Sequence, residues 1–147
     1  MGTWDIDPFG NDTGADFAET LDEAPAADRE DIIRSVLTST IATEDYLDAY
    51  EGTEAVAAAA LIAAQCPTGA PTDPIHGPQG PIPPLSFDLR ALAVAALDRV
   101  LAEDSELADL WDETSDGPRW RRNIAHTRRV VKAQLLPPPR QDELSPS

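Results

Sequence analysis

Ala55-Val56-Ala57-Ala58-Ala59-Ala60-Leu61-Ile62-Ala63-Ala64 is the stretch on which the fold turns. It is longer than a typical strand and falls well short of a bilayer span, which takes about 20 apolar residues. As a helix it is apolar on every face, and a helix of that kind is surrounded by others. The run therefore predicts the centre of an all-α domain, with alanines that let neighbouring helices approach closely. Working back from it, the helix starts at Thr43, a suitable cap, has Tyr46 and Leu47 in its first turns, and continues to about Gln65. Gly52 is where it would kink or split, because glycine costs about 1 kcal/mol relative to alanine inside a helix.

Helical periodicity recurs in six places and strand alternation nowhere at convincing length, which predicts a compact bundle of five to six helices. The first helix spans Thr13 to Glu23, with Phe17 and Leu21 facing inward. The second begins near Asp28, whose side chain can cap while Glu30 and Asp31 suit the positive end of the helix dipole; its inward stripe is Ile32, Ile33, Val36 and Leu37. Residues 67–85 hold seven of the fourteen prolines together with Gly69, Gly77 and Gly80, so they form a loop. Phe87 to Glu103 reads as a second strongly apolar helix, with Leu92, Ala96 and Val100 on one face and Ala91, Val94 and Leu101 close by. Ser105 caps a short helix carrying Leu107, Leu110 and Trp111. Asp116-Gly117-Pro118 turns the chain into the last helix, where Trp120, Ile124, Thr127, Val131 and Leu135 recur at helical spacing. Pro137-Pro138-Pro139 ends it, leaving residues 1–136 as one helical domain and 137–147 as a tail expected to be disordered.

A chain of 147 residues is the size of a single domain. Its net charge of −16 is unevenly spread. Residues 1–115 carry 24 acids against Arg29, Arg34, Arg90 and Arg99, whereas residues 116–147 carry 3 acids against 7 bases. The basic last helix should therefore dock on acidic neighbours, and the acidic body repels nucleic acid and anionic membranes while favouring basic partners. Cys66 is the lone cysteine, which excludes an internal disulfide or a thiolate metal cluster and fits a reducing, cytoplasmic setting. The opening stretch has Trp4 and Phe9 to bury, Pro8 and Gly10 to turn the backbone, and Asn11 or Asp12 to cap the helix that follows.

Gly2-Thr3-Trp4, Phe9, Asn11-Asp12, Ala15-Asp16-Phe17, the alanine run and Ser105-Glu106-Leu107 with Leu110-Trp111, followed by Trp120, resemble a bacterial family known as domain of unknown function 4259. The resemblance extends over nearly the whole chain and implies one intact domain, with no activity attached. The usual opening of that family is Gly-Thr-Trp-Gly-x-Gly-x-Phe-Asp-Asn-Asp, so Asp5 and Asp7 stand here at glycines and Gly10 at the acid. Relatives tend to carry a glutamate at the position aligned with Ala60, and any chemistry depending on it is missing from this chain.

Three groups of residues are candidates for function. Asp12, Asp16, Glu19 and Glu23 share one face of the first helix, and Glu44, Asp48 and Glu51 repeat the spacing on the third. Two facing carboxylate rows could hold a divalent metal, although the Glu-x-x-His pair common in helical-bundle metal sites is absent. A solvated face and a landing site for the basic helix account for the same rows. Trp4 with Asn11 and Asp12 could line a ligand pocket, while burial alone is reason enough for Trp4, Trp111 and Trp120. Cys66 with His76 or His126 could pair as nucleophile and base, but no motif surrounds them. Arg121, Arg122, Arg128, Arg129 and Lys132 invite a nucleic-acid interpretation that the surrounding negative charge opposes.

The function expected from these features is a non-enzymatic binding module for a basic protein partner, immunity- or antitoxin-like or a charge mimic, needing no cofactor. Its candidate contact residues are Trp4, Asn11, Asp12, Asp16, Asp48 and Glu51. Alternatives are a carboxylate-metal enzyme using Asp12, Asp16, Asp48 and Glu51, and a small-ligand sensor using the Trp4 end.

Overall fold

A computed structural model describes residues 12–66, 78 and 82–135. The described residues form six helices, α1 (Asp12–Glu23), α2 (Ala26–Ala42), α3 (Ala49–Ala64), α4 (Leu89–Leu101), α5 (Glu106–Asp112) and α6 (Gly117–Lys132), and no strand longer than an isolated bridge. The all-α class is as expected. None of these helices is long and apolar enough to cross a membrane.

The alanine run is the centre. Helix α3 packs against each of the other five helices, most extensively against α4, and α2 and α6 each pack against both members of that pair. Ala55, Val56, Ala57, Ala58, Ala59, Leu61, Ile62 and Ala63 are all buried, as a helix enclosed on every side requires. Helix α1 covers α3 with Phe17, Ala18 and Leu21, and α5 crosses near its start. Gly52 does not split α3, which runs through it without interruption. A Cβ there would stand 3.3 Å from the Cβ of Leu107, so the glycine serves the close approach of α5.

Helix α3 begins six residues later than Thr43. Thr43 instead closes α2, and Asp48 is the cap of α3, its Oδ1 accepting from the Glu51 amide at 2.8 Å. Leu47 between them is fully buried in a parallel bridge to Ser105, and Tyr46 is exposed. The Leu47 amide donates to the Asp104 carbonyl and the Glu106 amide to the Leu47 carbonyl, both at 2.8 Å. Arg99 of α4 explains why the chain leaves the helix here. Its guanidinium donates to the carbonyls of Thr43 (3.1 Å), Asp104 (3.0 Å) and Asp45, fastening the α2–α3 and α4–α5 connections together.

Helix α2 starts at Ala26, two residues before Asp28, which lies in its first turn and does not cap it; Pro25 precedes the helix, with no side-chain cap. Ile33 and Leu37 are buried and Ile32 and Val36 partly so. Arg29 is buried and reaches back to the Asp22 and Ala24 carbonyls at 3.2 Å each, a cation at the negative end of α1.

Helix α4 is shorter than expected at both ends. Phe87 lies outside it with the Arg90 guanidinium 4.9 Å from the ring centroid, Ala91 faces solvent, and the buried face is Leu89, Ala93, Val94, Ala96, Leu97 and Val100. Its start is clamped to α2: Arg34 pairs with Asp88 at 2.6 Å, and Glu30 accepts from the Ser86 amide (3.0 Å) and hydroxyl (2.7 Å). Those bonds hold the Glu30 and Asp88 carboxyls below their ordinary range. Within the expected loop, the Gln65 side chain accepts from the Leu85 amide at 2.9 Å and donates to the Pro83 carbonyl at 3.0 Å.

The last two helices start where expected, but α6 stops at Lys132, and Leu135 of the expected stripe packs against the core from beyond its end. Ser105 caps α5, accepting from the Ala108 amide at 3.4 Å, and Pro118 falls in the first turn of α6. Trp111 and Trp120 are buried and stacked, with centroids 5.8 Å apart and planes 8° from parallel. Gly117 permits that contact, since a Cβ there would stand 2.7 Å from the Trp111 carbonyl oxygen. The expected tail, 137–147, lies outside the described residues.

Candidate functional site

Periodicity places Asp12, Asp16, Glu19 and Glu23 on α1, and all four are exposed. Asp48 at the head of α3 is exposed and Glu51 half-buried, whereas Glu44 sits in the α2–α3 connection and does not extend the α3 row. Among the described residues none of these carboxylates is paired with a base.

The basic last helix lands elsewhere than on these rows. Arg121 makes a two-pronged pair with Asp112 of α5, both bonds 2.8 Å, and Arg128 pairs with Asp98 of α4 at 2.7 and 3.3 Å. The Arg121 hydrogen bonds lower the Asp112 pKa. The reason is topological: α6 packs on α3, α4 and α5 and reaches the exposed flanks of the last two, while α1 covers a different side of α3. The acidic rows of α1 and α3 thus have no α6 base beside them among the described residues.

Two residues that carry no motif, Tyr50 and Glu54, connect those rows. Glu54 is half-buried, one turn beyond Glu51, and Tyr50 lies one turn before it. Burial raises the Glu54 pKa, the nearby charges of Glu51 and Asp48 raise it further, and a hydrogen bond with Tyr50 opposes the rise. The Tyr50 hydroxyl is raised in turn by the charge of Glu54, by burial and by Asp16 of α1. Tyr50 therefore stands where the α1 and α3 acids meet. The i, i+3 and i, i+4 spacings of Glu51, Glu54 and Tyr50 were legible, but the apolar run beginning at Ala55 hid them as the edge of a core helix. At the other end of the α2–α3 connection the Tyr46 hydroxyl donates to Asp109 at 2.7 Å and its pKa is pushed up to about 12.

Behind Glu51 and Glu54 lies an open groove of about 200 Å³ between α2 and α3, walled by Ser35, Val36, Ser39, Thr40, Glu51 and Glu54. The Ser39 hydroxyl donates to Glu51 Oε2 at 3.1 Å. Thr40 is 1% exposed, and its hydroxyl has no hydrogen-bond partner.

Among the described residues no three of His, Cys, Asp and Glu converge in a way that could hold a metal ion, so Asp12, Asp16, Asp48 and Glu51 are not gathered at one point. Cys66 is buried, its thiol donating to the Ile62 carbonyl at 3.4 Å, and burial raises its pKa, which disfavours the nucleophilic thiolate. His126 is exposed on α6. Trp4, Asn11 and His76 lie outside the described residues.

The residues behind the family resemblance have architectural work within the described part. Ser105 caps α5, Glu106 accepts from the Ala49 amide at 2.8 Å, Leu107 meets Gly52, and Trp111 stacks on Trp120. Ala60 is half-buried on α3. Comparison with curated proteins and with solved structures finds no match. A family model described as Domain of unknown function (DUF4259) matches residues 2–123, from the opening Gly-Thr-Trp into the second turn of α6, and the chain belongs to that family.

Proposed function

We propose that this chain is a non-enzymatic binding module whose acidic α1–α3 face engages a basic protein partner in a reducing compartment. The observation that carries this reading is the unpaired state, among the described residues, of Asp12, Asp16, Glu19, Glu23, Asp48 and Glu51, while Arg121 and Arg128 of α6 pair instead with Asp112 and Asp98. Like charges held together on one face repel each other, and a cationic partner relieves that repulsion while being steered by the net charge of −16. An immunity- or antitoxin-like role against a basic effector is one form of this function, and mimicry of nucleic-acid charge is another. The rival metal-enzyme reading has little support from carboxylates that do not converge.

The test is affinity capture from a bacterial lysate at low and high salt, with the wild-type chain beside a variant in which Asp12, Asp16, Glu19 and Glu23 become their amides. A basic protein retained at low salt, released at high salt and lost with the variant is the expected result. If nothing is retained in a salt-sensitive way, or the variant keeps the same protein, the acidic face is not the contact surface.

A further inference from the structure

Thr40 differs from five other described threonines that lie in helices or close them. Thr20, Thr38, Thr43, Thr53 and Thr127 each donate their hydroxyl to the carbonyl four residues back, at 2.7–3.2 Å. The Thr40 hydroxyl makes no hydrogen bond at all although it is buried, and a buried polar atom without a partner is costly. Thr40 lies on the wall of the α2–α3 groove opposite Glu51 and Glu54. Neither of those carboxylates has a base beside it among the described residues.

We propose that the α2–α3 groove is a binding site for a primary alkylammonium, the end of a lysine side chain of the basic partner, held by the Glu51 and Glu54 carboxylates and the Thr40 hydroxyl. This rests on the reading of the protein as a module for a basic partner and adds which cation it takes and where. An ammonium presents three N–H donors in a compact tetrahedral head, and the groove is walled by two glutamates from one turn of α3 and, on α2, by Thr40 with its buried, unpartnered hydroxyl. A guanidinium prefers both oxygens of one carboxylate side by side, and Glu51 has Oε2 engaged by Ser39 while Glu54 is hydrogen-bonded with Tyr50. Among the described residues no three of His, Cys, Asp and Glu gather as a metal site would need, so the groove favours an organic cation over a hard divalent ion. Val36 on the same wall gives the methylene stem an apolar surface to lie along. Burial that disfavours the charged form of Glu54 points the same way, because a cation held beside it offsets that effect.

The full chain, labelled for NMR, is titrated separately with butylammonium, tetramethylammonium and an oligolysine. Butylammonium should give saturable shifts at the Thr40 methyl and at the Ser39 and Glu54 amides, tetramethylammonium should not, and oligolysine should reproduce the butylammonium shifts together with others along α1. Thr40→Val, which keeps the shape and removes only an unpartnered hydroxyl, should fold normally and weaken butylammonium about tenfold; Glu54→Gln should weaken it at least as much. Equal responses to the two small cations, or undiminished binding by Thr40→Val, would overturn the site. Oligolysine shifts confined to α1 would refute the groove while sparing the acidic face. Butylammonium shifts without any oligolysine binding would refute the lysine source and the basic-partner reading with it.

Discussion

Replacing Gly117 by alanine and replacing Gly52 by alanine are chemically the same change, and the structure gives them opposite consequences. At Gly117 the new Cβ would stand 2.7 Å from the Trp111 carbonyl oxygen and 3.1 Å from the Asp112 Cα, both backbone atoms. That oxygen cannot turn aside cheaply, because it accepts from the Thr114 amide at 2.9 Å and the Thr114 hydroxyl at 2.7 Å. The overlap must be relieved by moving α6 away from α5, across the Trp111–Trp120 stack. Overpacking of this kind costs about 1–3 kcal/mol, and at the first residue of a helix alanine recovers little of its propensity advantage. For a chain of this length the melting temperature should fall by about 3–10 °C. At Gly52 the nearest atoms belong to the Leu107 side chain, at 3.3 and 3.4 Å, so the neighbour need yield only a few tenths of an ångström. The gain of about 1 kcal/mol from placing alanine inside a helix then offsets the crowding, and Gly52→Ala should lie within about 0.5 kcal/mol of wild type or above it. Thermal and urea unfolding followed by far-ultraviolet circular dichroism decide the matter. Equal losses for the two variants would show that glycine is kept at both sites for one shared reason, and the argument from close approach would fail.

Trp120→Ala removes a buried ring stacked on Trp111 and should cost about 3–5 kcal/mol, a large part of the roughly 5–15 kcal/mol that holds a domain of this size together; denaturant titration measures it. Arg99→Ala leaves the Thr43, Asp45 and Asp104 carbonyls without their common donor and should cost about 1–3 kcal/mol, with faster hydrogen exchange at the Leu47 and Glu106 amides as the local sign. Glu54→Gln should raise the melting temperature at pH 7 and leave it unchanged at pH 4. The folded pKa of Glu54 lies above its ordinary 4.5, so its contribution to stability declines as pH rises from there through the folded value, and the amide removes that decline. Glu30, Asp88 and Asp112 have the opposite sign, their folded pKa values being lowered, and their contribution is lost on acidification; Arg34→Gln should therefore flatten the acid limb of the stability profile.

Helix number, the burial of α3, the Ser105 cap and the Pro118 start of α6 could be read from the chain alone because each follows from a local pattern: an apolar period, a capping side chain, a proline where an amide is dispensable. Net charge and the acidic α1 row were legible for the same reason. The α2–α3 boundary was not. Thr43 looks like a helix start, and what makes it a helix end is Arg99, 56 residues away, which collects carbonyls that a continued helix would have used itself. Gly52 looked like a kink and is a contact with α5. The docking of α6 on Asp98 and Asp112, leaving Asp12, Asp16, Glu19 and Glu23 without a base among the described residues, was likewise beyond a local reading, because charge composition says that opposite signs attract without saying which partners the packing brings within reach. Local chemistry thus determined which segments coil and which faces turn inward. Only the tertiary structure decided where helices stop, which acids meet bases, and that Thr40 and Glu54 share a groove, since those outcomes depend on atoms distant in sequence competing for the same hydrogen bonds and the same space.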